Sequence, residues 1–151
     1  MATHRETRTL ALPSEWLFDI VADVERYPEF IPLIREARIV ERHVNAYETE
    51  QSLALGLLRH RFRTRTELDR PHRICVRSDD RTFCHFDIQW TFSPLSNSRC
   101  HVDFALDCQA RSPFLLPIVS MLLLPMAASM VSAFEGRAHA LAAKGMRRDT
   151  A

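Results

Sequence analysis

Two stretches of this chain alternate apolar and polar side chains with a period of two, and that alternation limits the possible folds more than any other feature. In the first, Phe86, Ile88, Trp90 and Phe92 share one parity, while His85, Asp87, Gln89 and Thr91 share the other. In the second, Cys100, Val102, Phe104, Leu106 and Cys108 oppose His101, Asp103, Ala105, Asp107 and Gln109. Successive side chains of a strand leave on opposite faces, so each stretch is a strand with one face in a core and the other in water. Upstream, Phe62, Thr64, Thr66 and Leu68 repeat the pattern against Arg61, Arg63, Arg65 and Glu67. Turn signals at Val44-Asn45, Asp69-Arg70-Pro71, Asp79-Asp80 and Ser93 to Ser98 divide the region. They predict strands over Arg35–Arg42, Ala46–Leu55, Arg59–Leu68, Arg73–Ser78, Phe83–Phe92 and Arg99–Ala110. A seventh is predicted earlier, over His4–Leu12.

A sheet with one dry face needs a cover. Leu17, Ile20, Val21 and Val24 fall at helical spacing after Pro13-Ser14, with Ser14 as the expected N-cap. That helix should end near Arg26, because Pro28 pushes Tyr27 out of the α region. Tyr27 to Pro32 then reads as a helical turn or tight loop. The run from Phe114 to Phe134 carries no charge and is long enough to cross a bilayer. It holds Pro117, Pro125, Ser120, Ser129 and Ser132, however, and continues on the same period into the charged EGRAHALAAK. A buried helix over Ser112–Lys144 is therefore expected, bent or divided at the prolines. Within it Ala133, Gly136 and Ala140 form a track of small residues, either for close approach to the sheet or as a tolerated weak point. The order is strand, helix, short helix, six strands, long helix. It predicts one α+β domain over residues 1–151: a curved antiparallel sheet of about seven strands gripping its C-terminal helix.

The composition removes several functions. The formal net charge is +1 on 151 residues, which disfavours a nucleic-acid binder working through bulk charge, and no DNA partner is expected. Three glycines leave no phosphate-cradling loop. The four cysteines lack C-x-x-C spacing, and no secretory or transit segment is evident before the first strand, so a reduced cytoplasmic protein is expected. Cys84-His85 and Cys100-His101 are adjacent in strands, so their side chains diverge and form no nucleophile pair. No metal site is expected, since His85 and His101 have no ligand spacing around them.

Three stretches carry a family resemblance: VADVERYPEFIP at Val21–Pro32, WTF at Trp90–Phe92 followed by VDFAL at Val102–Leu106, and FEGRAHAL at Phe134–Leu141. Together they resemble the START-like (SRPBCC) superfamily, most closely its coenzyme Q-binding branch within the polyketide cyclase/lipid transport group. The chain departs from that branch at Arg81-Thr82-Phe83, where a Gly-Pro-Phe-like turn is usual, and at Leu33-Ile34 after the first motif.

The resemblance implies a helix-grip fold and a cavity between sheet and helix. Parity assigns Leu53, Leu55, Phe62, Thr64, Thr66, Val76, Phe86, Ile88, Trp90 and Phe104 to the inner face, and Leu122, Met126 and Met130 to the facing helix stripe. These residues serve a packed core or a ligand wall. None is a carboxylate, lysine or histidine, so general acid–base catalysis is disfavoured. Tyr27, Phe30, Ile31 and Pro32 are expected at the cavity mouth, touching a membrane surface, or as a plug on the core. Lys144, Arg147 and Arg148 offer charge for anionic head groups, or a solvated tail. The implied function is non-enzymatic binding of ubiquinone or a related isoprenoid quinone, as ligand rather than cofactor, in support of respiration or quinone synthesis. The expected location is cytoplasmic, peripheral to the inner membrane. A ribosome-association toxin-like module is the alternative, with the arginines at 59, 61, 63 and 65 contacting RNA; a polyketide cyclase or aromatase is the second.

Overall fold

A computed structural model describes residues 1–149, with side chains for residues 1–145. The alternating segments form seven strands: β1 (Ala2–Leu10), β2 (Ile34–His43), β3 (Ala46–Leu55), β4 (Leu58–Asp69), β5 (Arg73–Arg77), β6 (Phe83–Ser96) and β7 (Arg99–Ala110). All pair antiparallel in one sheet ordered β1-β7-β6-β5-β4-β3-β2. Strands β2 to β7 form a meander, and β1 joins the far edge beside β7. Two hairpins turn on residues in the left-handed region, Asn45 at φ 57° and Gly56 at φ 61°. Across β6 and β7, Ile88 faces Leu106, Trp90 faces Phe104 and Phe92 faces Val102, all buried. One dry face and one wet face result, as the parity requires.

The covering elements differ from expectation in detail. Helix α1 spans Ser14–Ala22, with Pro13 rather than Ser14 at the N-cap. Ser14 is buried one position inside, and its hydroxyl has no protein partner. The chain does not stay α-helical to Arg26; it tightens into a 3-10 helix over Val24–Glu29 that contains Pro28. The C-terminal helix begins as a 3-10 turn at Pro113–Leu115, passes through a π-helical turn at Ile118–Leu123 and becomes α2 over Leu124–Asp149. The Leu124 amide reaches back to the Val119 carbonyl, one residue beyond an α-helical bond. Prolines 117 and 125 flank this turn and lack the amide that would close regular α bonds, so the division falls where proline chemistry places it.

The segment Pro113–Gly145 is long and apolar enough to cross a membrane. Its inner side is nevertheless consumed by the sheet: Ile118, Val119, Leu122, Leu123, Met126, Ala127, Met130, Val131, Phe134 and Ala138 are all buried. Gly136 and Ala140 are exposed, and a Cβ on Gly136 would meet nothing within 4 Å, so the small residues provide no close approach. Phe134 does the seating. Its ring lies edge-on to Tyr27 (5.2 Å), Phe30 (5.4 Å) and Trp90 (5.3 Å), joining α2, the 3-10 helix and the sheet. On the far side Arg8 of β1 donates to Glu135 at 3.0 Å and Ser132 at 3.1 Å.

Phe134→Ala should cost about 3–5 kcal/mol, the usual range for a large aromatic removed from a close-packed core. Urea unfolding followed by far-UV circular dichroism measures it, and Phe134→Leu should lose distinctly less.

Candidate functional site

The interior cavity lies where β3, β4, β5 and β6 face the first turns of α2. Odd-numbered residues of β3 point inward, so Tyr47, Thr49, Gln51 and Leu53 line up on the dry face. The wall comprises Phe62, Thr64 and Thr66 of β4, Ile74 and Val76 of β5, and Phe86, Ile88 and Trp90 of β6. Met126 and Met130 of α2, Val24 and Tyr27 of the 3-10 helix, and Tyr47 and Gln51 close it. Apolar surface dominates except along one seam, where Thr49 and Thr64 share a hydroxyl hydrogen bond of 2.5 Å. The Gln51 amide nitrogen donates to both, at 3.2 Å to Thr49 and 3.3 Å to Thr64.

Two phenols tie this seam to the end of α1. Tyr27 donates to the Val21 carbonyl, and Tyr47 donates to the Ala22 carbonyl at 2.7 Å. Burial pushes both phenols above their ordinary pKa, so each stays protonated and acts as a donor. Among the described residues no carboxylate, lysine or histidine lines the cavity. The arrangement can orient a polar group by hydrogen bonding.

The cavity volume is about 30 Å³, roughly the share of one molecule in liquid water. Pockets for small organic ligands run roughly 300–1,000 Å³. In this conformation the interior is therefore nearly full, and a large guest enters only if the wall moves. Met126 and Met130 are the flexible elements of that wall, and the π-helical turn immediately precedes them.

The expected wall residues Phe62, Thr64, Thr66, Val76, Phe86, Ile88, Trp90, Met126 and Met130 line this one cavity. Leu53, Phe104 and Leu122 are buried elsewhere in the core. Leu55, expected inward, is 46% exposed, because β3 ends there and turns outward at Gly56. The expected mouth also divides. Tyr27 and Ile31 are buried and Phe30 is half-buried against Phe134, with Arg137 5.1 Å above its ring, so this loop plugs the core. Of the four expected mouth residues, Pro32 alone is exposed. Tyr47 and Gln51 were missed, although extending the parity of Leu53 backwards along β3 would have found both.

Outside the cavity, His85 pairs with Gln109 and His101 with Ser93, so the two histidines are separated along the strands. Glu41, His43 and Glu48 bring possible ligand atoms within 4.8 Å on the β2–β3 hairpin, where His43 lies 3.1 Å from Glu48. Arg59, Arg61, Arg63 and Arg65 all lie exposed on the wet face of β4. Arg61 approaches Glu36 (3.6 Å) and Glu50 (3.8 Å), and Arg65 approaches Glu67 (3.7 Å). Among the described residues the guanidinium groups of Arg59 and Arg63 have no carboxylate partner. Lys144 is exposed, whereas the side chains of Arg147 and Arg148 lie outside the described residues.

Comparison with known proteins places these features in context. The family profile described as "Polyketide cyclase / dehydrase and lipid transport" matches residues 10–135. The ribosome association toxin RatA of Pseudomonas aeruginosa is 31% identical over 142 residues, covering 93% of this chain and 99% of that protein. The mitochondrial coenzyme Q-binding protein COQ10 homolog B of Xenopus laevis is 25% identical, covering 89% of this chain and 57% of that protein. A START superfamily protein from Mycobacterium smegmatis has the same fold, with a TM-score of 0.76 at 21% identity, covering 92% of this chain and 98% of that one.

Thr64→Val should cost about 1–3 kcal/mol, because Thr49 and Gln51 each lose a buried hydrogen-bond partner. The pair Thr49→Val with Thr64→Val should cost less than the two single changes summed. Urea unfolding of the three variants reads the coupling directly.

Proposed function

We propose that this chain, which belongs to the polyketide cyclase / dehydrase and lipid transport family, binds and carries a hydrophobic lipid with a small polar head, a ubiquinone-like isoprenoid quinone. The observation that carries the reading is the cavity's composition: apolar walls that end in one seam of hydroxyl and amide groups. A quinone ring presents two carbonyl acceptors and an apolar tail. Gln51 and the threonines supply donors at one end, while Met126 and Met130 yield to the tail. Among the described residues the lining holds no acid–base group, which supports carriage over conversion, and both tyrosines already donate to backbone carbonyls. The name of the Xenopus relative supports the choice of quinone. A cytoplasmic carrier at the inner membrane, serving respiration or quinone synthesis, follows from that ligand.

A second reading is association with the ribosome, favoured by the name of the Pseudomonas relative and by the exposed arginine row on β4. Its electrostatic mechanism makes it separable, since contacts to RNA phosphates weaken steeply with salt. Arg59→Glu with Arg63→Glu would abolish such binding and leave the interior untouched.

Organic extraction of the chain purified from ubiquinone-producing cells should release quinone. Met130→Trp fills the cavity and should reduce the extracted quinone by about tenfold or more, at a folding cost of roughly 1–3 kcal/mol. A folded wild-type chain that yields no quinone, and co-sediments with the large ribosomal subunit in a salt-sensitive manner, would favour the second reading.

A further inference from the structure

We infer that one end of the molecule, built from the β3–β4 hairpin tip and the first turns of the C-terminal helix, docks on an anionic lipid bilayer. The exposed large apolar side chains gather there. Leu57 at the hairpin tip is 101% exposed, Phe114 is 91% exposed, Leu116 56% and Met121 48%, with Leu55 beside them. Strand directions put these positions at the same end, because β3 finishes, β4 and β6 start and β7 finishes there. Hydrogen bonds stitch that end together: Arg111 donates its amide to the Thr82 carbonyl at 2.9 Å, and the Thr82 hydroxyl lies 2.6 Å from His60 of β4. Strand β3 also packs against the π-helical turn. Val44 on the β2–β3 turn, Leu95 near the end of β6 and Val40 in β2 are exposed away from this end.

Charge selects the occupant. Arg35 at the start of β2, Arg59 at the start of β4 and Arg81 before β6 stand at the same end. Among the described residues none of the three has a carboxylate partner. Asp80, half-buried beside Arg81, accepts from the Thr82 amide and hydroxyl and from the Arg63 amide, while Asp79 and Glu36 are exposed and Glu36 lies 3.6 Å from Arg61. The Arg111 guanidinium is held by the Arg81 and Phe83 carbonyls, which leave its charge in place. A projecting apolar tip ringed by unpaired guanidinium groups matches an interface of acyl chains below and anionic phosphates above. A polyanion such as RNA would use the arginines and could stack a base on Phe114, but it would gain little from the aliphatic Leu57, Leu116 and Met121.

The site also has a bearing on the cavity. Residues 114–121 run into the π-helical turn, which precedes the methionines that must move for a guest to enter. Docking would load the movable wall from the side facing the lipid. This part rests on the ligand reading; contact with the bilayer does not.

The test uses the full chain and sedimentation with phosphatidylcholine vesicles, with or without phosphatidylglycerol. Binding is expected to the mixed vesicles and to weaken on removing phosphatidylglycerol. Leu57→Asp and Phe114→Asp should each weaken it by about tenfold or more, because each puts a charge where an apolar side chain would insert. Both positions are solvent-facing, so the thermal melt should not change. Arg59→Gln with Arg81→Gln should reduce binding only to the anionic vesicles. No binding by the wild-type chain, or equal binding by the aspartate variants, overturns the proposal. So does a wild-type dimer that Leu57→Asp splits, or ribosome co-sedimentation lost through Leu57→Asp, since either gives the surface another occupant. A chain that binds vesicles but yields no quinone leaves this proposal standing and removes the ligand reading; the reverse result removes only this one.

Discussion

A seven-stranded sheet that is dry on one face exposes far more apolar surface than it can leave in water, and a single helix has to cover its centre. The contact that secures the cover is Phe134 against Trp90, Tyr27 and Phe30. It joins three elements far apart in sequence, so the curvature of the sheet, the position of the 3-10 helix and the path of α2 are settled together. The rest of the architecture depends on it. Arg8 fastens the helix to the far edge, but that ion pair is partly exposed and contributes little beside the aromatic packing.

The same demand for cover creates the tension at the candidate site. Close packing around Phe134 leaves a cavity of about 30 Å³, while carriage of a lipid needs roughly ten times more. The structure concentrates its compliance in one place. Two methionines and a π-helical turn lie side by side there, and the neighbouring β3 face is satisfied by side-chain hydrogen bonds that a guest's carbonyl groups can replace one for one. Opening therefore costs packing around the methionines, and it acts on a wall that shares Tyr27 and Trp90 with the Phe134 contacts. A ligand whose tail fills the new space recovers the lost contact.

Most of the fold was legible in the sequence, because parity is a hard geometric signal. The buried faces of β4, β6 and β7 follow from alternation alone, and the uncharged run had to be the helix that the sheet required. Local features were less readable. Ser14 has the chemistry of an N-cap, yet the chain places Pro13 there and buries the serine, a choice made by tertiary packing. The prolines announced an interruption of the helix but not its π-helical form. At the site, Tyr47 and Gln51 escaped notice because the inner face of β3 is polar, and a polar inner face breaks the rule that made the other strands easy. Leu55 failed for a related reason, and of the two readings of the Tyr27–Pro32 loop the structure takes the plug on the core. Residues at strand ends and turns follow the path of the backbone, which no periodicity encodes.

If the interior opens to admit the proposed quinone against the β3 seam, Trp90 in the cavity wall will report it. The chain has two tryptophans, so Trp16→Phe leaves Trp90 as the only indole. Titration with a short-chain ubiquinone should quench its fluorescence along a saturable curve, and Gln51→Leu should shift that curve to higher quinone by about tenfold. Quenching that rises linearly without saturation, at the rate seen for free tryptophan, would contradict the account.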